Sequence, residues 1–225
     1  MPTTNSDAAQ KRLLAGARRF QEVVYPRRKS LYQRLATAGQ RPHTLFITCA
    51  DSRVDPELIT QSEPGEIFVC RNIGNLVPPY GEMLGGVSAI IEYAVTALRV
   101  NQVVVCGHAD CGAMIGLLRP DKVAKLPAVA NWLRHGEAAL GSARSRGLTE
   151  EHAVLDALIE VNVLLQLNHL RTHPSVAARL AKSALTLSGW VYDIGQGIIR
   201  IYDGARRQFL PLTHGEGLAS GSSGA

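Results

Sequence analysis

The chain has 225 residues, 46% of them hydrophobic and 19% charged, with a net charge of +5. This is the composition of an ordinary globular domain with a substantial core, and it excludes disordered or fibrous classes. The apolar stretches are interrupted by Gly, Glu or Arg short of 18 residues, so no membrane partner is expected. The opening "MPTTNSDAAQKRLLAGARRF" lacks an apolar core before a cleavage-like site, so no secretory signal is read and a cytoplasmic location is expected.

Residues 1–43 hold nine Lys/Arg against Asp7 and Glu22, a local charge of +7, while the remainder sums to −2. Apolar residues recur at helical spacing over 7–21 (Leu13, Leu14, Ala17, Phe20) and 27–38 (Leu31, Leu35), with Pro26 predicted to break the helix between them. The basic run carries no recognisable nucleic-acid motif, so it reads as the solvated face of an amphipathic helical arm with no nucleic-acid partner.

Runs rich in Val, Ile and Leu follow at 44–48, 66–70, 102–107 and 186–194. They are continuous rather than alternating, as in strands buried on both faces of a parallel sheet. Helical stretches are predicted between them at about 84–99, 109–118, 124–135, 150–172 and 174–182. The expected fold class is therefore α/β, a central, mostly parallel sheet flanked by helices. The segment "WVYDIGQGIIRIYD" reads as a hairpin at the sheet edge, and "HGEGLASGSSGA" as a flexible Gly/Ser-rich tail. Three parts are expected: an arm over 1–43, a catalytic domain over 44–212 and a tail over 213–225.

The chemistry concentrates where two strands end. "TCADSRV" places Cys49, Asp51 and Arg53 at alternate positions after the first strand, and alternate side chains of an extended chain share a face. The strand at 102–107 runs into "CGHADCGAM", with His108 and Cys111 at a strand-to-helix turn. In parallel α/β sheets, sites gather outside the carboxyl ends of strands. Two thiolates and an imidazole suit zinc, and three protein ligands leave a fourth position open, as in catalytic sites. Each residue alone also has a plain reading: Cys49 as a buried strand cysteine, His108 as a turn histidine, Asp51–Arg53 as a structural ion pair. Cys70 and Cys106 lie inside apolar runs and read as packing residues.

Together the motifs C-x-D-x-R (Cys49, Asp51, Arg53) and H-x-x-C (His108, Cys111) make the chain resemble a β-class carbonic anhydrase. The likeness extends over "EPGEIFVCRNIGNLVPPYG", "SAIIEYAVTALRVNQVVVCGHADCG" and "SGWVYDIGQG", so it spans about residues 35–205. The resemblance implies one zinc per chain and reversible hydration of carbon dioxide to bicarbonate and a proton, by attack of zinc-bound hydroxide oriented by Asp51, with Arg53 holding Asp51. It also implies substrate-binding roles for Gln40, Phe68, Tyr93 and Gly112. The first three would reach the zinc of a neighbouring subunit, so a homodimer with shared sites is expected, with tetramers left open, and the helical arm wrapping the partner.

The resemblance favours the plant-like, open-site type, in which Asp51 ligates zinc only in a closed, inactive form. Members with a second, inhibitory bicarbonate site carry a tryptophan three residues before the zinc cysteine, alongside an arginine and a tyrosine. Here Arg71 and Tyr192 are present but Phe46 replaces the tryptophan, so no such support for a closed form is expected. Two other readings share the ligands: a hydrolase of carbon disulfide or carbonyl sulfide, and a zinc-binding homologue without catalysis. A zinc nucleobase deaminase would need H-x-E and P-C-x-x-C, and neither occurs.

Overall fold

The computed structural model describes residues 5–82 and 84–212; the predicted tail at 213–225 lies outside them. The chain divides into two compact units, Met1–Gln40 and Arg41–Ala225. In the first, α1 (Asn5–Arg19) runs through a π-type turn, Phe20–Val24, into α2 (Tyr25–Ala38). The predicted break at Pro26 does not occur. Pro26 falls in the first turn of α2, where its missing N–H costs little, and the Tyr25 N–H bonds back to the Phe20 carbonyl across the wider turn. Phe20, Tyr25 and Tyr32 stack on one another with centroids 5.6–6.2 Å apart, while Leu13 and Leu14 are exposed.

In the second unit, β1 (Thr44–Cys49) is buried along its whole length between β2 (Ile67–Asn72) and β3 (Gln102–His108), parallel to both. β3 pairs in parallel with β4 (Thr186–Asp193). Two antiparallel strands, β5 (Ile198–Asp203) and β6 (Gln208–Pro211), then complete the order β2-β1-β3-β4-β5-β6. The predicted hairpin is β4–β5. It is not the edge, because β6 extends it. Four residues ending in proline give too short a run to read from the sequence.

The helices are α3 (Pro56–Thr60), α4 (Gly86–Glu92, continued by a π-type turn to Ala97), α5 (Gly112–Leu118), α6 (Pro127–Leu133), α7 (Glu137–Arg144), α8 (Glu151–Thr172) and α9 (Pro174–Leu180). Sequence reading misses α3, a helix of five residues, and α7. The buried positions of α7 are only Ala139 and Ala143, with Gly141 between them, so its apolar stripe is faint.

By length and composition α8 is apolar enough to cross a membrane, an exception to the expectation from the sequence. Its apolar residues are instead core: Leu158, Ile159, Val163 and Leu170 are almost fully buried, and the helix lies on β3 and β4. Gly107 and Gly189 permit that approach, since a Cβ at either would come within 2.9 Å of Val163.

Polar groups on α8 and just beyond it clasp the chain that follows β2. Gln166 accepts from the Val77 N–H (2.8 Å), Thr172 accepts from the Tyr80 N–H (2.8 Å), His169 bonds the Val77 carbonyl (2.8 Å) and His173 the Pro78 carbonyl (3.0 Å). Burial lowers the pKa of both histidines. The unfolded chain therefore binds protons more readily below its own histidine pKa of about 6.5. Stability is fully present above that value and falls as pH drops toward the depressed folded values. Urea midpoints measured at pH 7.5 and 5.5 should show this loss, and the difference should shrink in His173→Gln.

Candidate metal centre

β1 and β3 are neighbouring parallel strands, so their carboxyl ends open side by side. Cys49 is the last residue of β1 and His108 the last of β3. Asp110 then takes a left-handed conformation (φ 52°), which short polar side chains tolerate, and the turn delivers Cys111 immediately ahead of α5. The Cys49 and Cys111 sulfurs and a His108 ring nitrogen all lie within 4.8 Å of one another, and all three residues are buried.

The donor set fits a metal on its own chemistry. His108 Nδ1 donates to the Ala109 carbonyl (2.8 Å), which fixes the tautomer and turns the Nε2 lone pair toward the sulfurs. Nε2 is buried and unpartnered, one of two such side-chain atoms among the described residues, the other being Asn75 Nδ2. A buried nitrogen without a partner costs free energy, and an ion with bonds of about 2.0–2.3 Å would satisfy it together with both thiolates.

Cys49 is already poised as a ligand. A hydrogen bond from the Cys111 thiol, with the Gly74 N–H beside it, lowers its pKa against the opposing effect of burial. Cys111 keeps its proton without metal, its pKa raised by that hydrogen bond to Cys49 and by burial. Cys70 and Cys106, by contrast, are pushed up by burial to about 11 and about 12. Cys106 packs with Phe46 and Val104 in a separate apolar cluster, as a packing residue.

Asp51 and Arg53 meet, though not by strand alternation. β1 ends at Cys49, and a turn closed by the Val54 N–H on the Asp51 carbonyl (3.0 Å) folds Arg53 back. The Arg53 backbone N–H and Nε both donate to Asp51 Oδ1 (3.0 and 2.9 Å), and Nη2 donates to Oδ2 (2.8 Å). These bonds hold the Asp51 carboxyl well below the usual carboxylate range. The same Nη2 reaches the Asp110 carbonyl (3.3 Å), tying the turn that carries Cys111 to the one that carries Asp51. Asp51 Oδ2 stands 3.9 Å from His108 Nε2. The carboxylate is thus beside the donor set but paired with arginine.

Arg71 donates to the Cys49 and Asp51 carbonyls (3.3 and 2.7 Å), and Phe46 packs edge-on against Trp190 (5.7 Å). A Cβ at Gly112 would meet nothing within 4 Å, so open space lies beside it. Phe68 and Tyr93 stack 5.9 Å apart, but not at this chain's own donors. Phe68 pairs with Leu45, whereas Cys49 pairs with Asn72, four positions farther and about 13 Å along the strand. Gln40 ends the first unit and is exposed.

Sequence reading did not single out Gly74, whose N–H donates to Cys49 Sγ at 3.4 Å. Its φ of +79° and a would-be Cβ contact of 2.7 Å with Ala113 Cβ restrict the position to glycine. The Gly-Asn pair in "RNIGN" was the available signal, as a turn dipeptide.

Residues 44–199 match the family described as carbonic anhydrase. A carbonic anhydrase of Pseudomonas aeruginosa is 53% identical over 200 residues, 89% of this chain and 90% of that protein. The solved β-carbonic anhydrase CcaA superposes with a TM-score of 0.87 at 42% identity, covering 92% of this chain and 93% of its own. A structure from Sordaria macrospora, described among tetrameric β-carbonic anhydrases, superposes with a TM-score of 0.69 at 30% identity, covering 86% of this chain and 93% of its own. The chain belongs to the β-class carbonic anhydrase family.

Proposed function

We propose that the protein catalyses the reversible hydration of carbon dioxide to bicarbonate and a proton. The observation that carries this reading is the buried Cys49–His108–Cys111 donor set with an ionised, arginine-held Asp51 at its side. When bound, zinc supplies the Lewis acidity that brings the pKa of water from about 15.7 toward about 7 in the most acidic known sites. Two thiolates partly offset the charge of the ion, so activity is expected to rise with pH into the alkaline range.

Asp51 accepts a hydrogen bond from the attacking water and leaves an oxygen lone pair directed at carbon dioxide. Arg53 holds the carboxylate in that pose and keeps it ionised. A carboxylate with so low a pKa is an acceptor that orients and not a base that keeps the proton. The open space at Gly112 leaves room for the bicarbonate beside its backbone. Stopped-flow hydration of carbon dioxide by the zinc-loaded protein tests the reading, and a folded, zinc-replete protein without activity would overturn it. The relatives above are named carbonic anhydrases, which disfavours the carbon disulfide or carbonyl sulfide alternative.

The functional form is read as a homodimer with shared sites, in which Gln40, Phe68 and Tyr93 act on the partner's substrate. The distance of the Phe68–Tyr93 pair from its own chain's donors supports this, as does the tetrameric description of the Sordaria macrospora relatives. Deleting residues 1–38 is expected to give a monomer of low solubility and little activity, read by sedimentation and by the hydration assay. A fully active monomer would contradict the shared site.

A further inference from the structure

Trp132 lies on α6, outside the donor set, and its indole Nε1–H donates to the Ile73 carbonyl at 2.8 Å. That carbonyl belongs to the same peptide unit as the Gly74 N–H, which donates to Cys49 Sγ at 3.4 Å. A peptide is one planar, resonance-coupled group. A donor on its oxygen therefore polarises its N–H, and hydrogen bonds arranged in series strengthen one another.

Neighbouring contacts hold the next peptide and the indole in place. The Gly74 carbonyl accepts from Asn162 Nδ2 (3.2 Å), and Asn162 Oδ1 in turn accepts from Gln166 Nε2 (2.9 Å), both side chains being fully buried. The indole stacks edge-on against His135 (5.3 Å), which pairs with Glu82 (3.3 Å). The indole and the glycine that carries the amide are thus each held by side chains outside the donor set.

We propose that Trp132 is a positioning residue for the metal centre. Through the Ile73–Gly74 peptide it aims and strengthens the amide hydrogen bond on Cys49 Sγ, and so limits the charge this sulfur gives to a bound metal. A thiolate that accepts a hydrogen bond is a weaker donor, which counters the loss of Lewis acidity that two thiolates impose. The proposal rests on Cys49 being a metal ligand.

The test uses the full chain loaded with cobalt(II), read by its sulfur-to-cobalt charge-transfer absorption. Trp132→Phe keeps the ring and removes the N–H. The band should move to longer wavelength at unchanged cobalt stoichiometry, because the sulfur lone pair is less stabilised. A purely structural role would lower the melting temperature and leave the band in place, and that result would overturn the proposal. Cadmium-113 loading of the unmodified protein gives a readout that needs no variant. The Gly74 amide proton should show scalar coupling to the metal across the hydrogen bond, and its absence would overturn the proposal as well. Failure of the unmodified protein to bind cobalt or cadmium would instead remove the metal reading, and this proposal with it. A bound metal with an unmoved band removes the Trp132 proposal alone.

Discussion

Serine in place of Cys49 is expected to leave a folded protein that retains no zinc and does not measurably hydrate carbon dioxide. The residue sits at the end of a fully buried strand, and hydrogen bonds from Cys111 and Gly74 lower the pKa of its thiol. A hydroxyl there is a harder, far less acidic donor, and only His108 and Cys111 would remain of the clustered donors found among the described residues. His108→Ala should have the same effect on metal and activity but empties a larger buried volume, so Cys49→Ser separates chemistry from folding more cleanly. Cys70→Ala and Cys106→Ala are the controls. Each removes one buried thiol from apolar packing, at a cost of about 1 kcal/mol, and should keep zinc and activity. Elemental analysis of the four purified variants reads the result, and full zinc in Cys49→Ser would overturn the ligand assignment.

Arg53→Ala should keep its zinc and lose about 10- to 100-fold in activity at every pH, the usual effect of removing a partner that orients a site. Without the guanidinium, Asp51 loses two of its three hydrogen bonds from Arg53. Its Oδ2, 3.9 Å from His108 Nε2, then has no arginine partner and is within reach of the donor set as a competing ligand. Asp51→Asn removes that competition but also replaces an acceptor-only group, and should cost about 100-fold or more. Zinc X-ray absorption distinguishes the two: an added oxygen ligand is expected in Arg53→Ala and not in Asp51→Asn. In the unmodified protein, Asp51 is pinned below the carboxylate range and stays ionised at every assay pH. The rising limb of activity then belongs to the nucleophile. The stabilising pair with Arg53 is present above the unfolded aspartate pKa of about 3.9 and is lost only as pH falls through the lower folded value. An Arg53→Ala enzyme with full activity would show that the pair is structural only.

The sequence by itself determined the candidate metal donors and the strands that carry them. Continuous Val/Ile/Leu runs mark parallel strands buried on both faces, and these end within a residue or two of where 44–48, 66–70 and 102–107 predict. The pairing of C-x-D-x-R with H-x-x-C is specific because soft and borderline donors seldom gather at two strand ends by chance. Local pattern misled at Pro26, where a first-turn position and a π-type turn let the helix run on. It also misled at Asp51–Arg53, where a turn and not strand alternation brings the groups together. Tertiary structure alone decided what lies around the sulfur. The Gly74 amide comes to Cys49 from 25 positions away, and Trp132 and Asn162 bond the Ile73 and Gly74 carbonyls on either side of it from 59 and 88 away. No periodicity records such contacts, because a backbone N–H is the same group at every residue but proline and only the fold chooses which sulfur it meets.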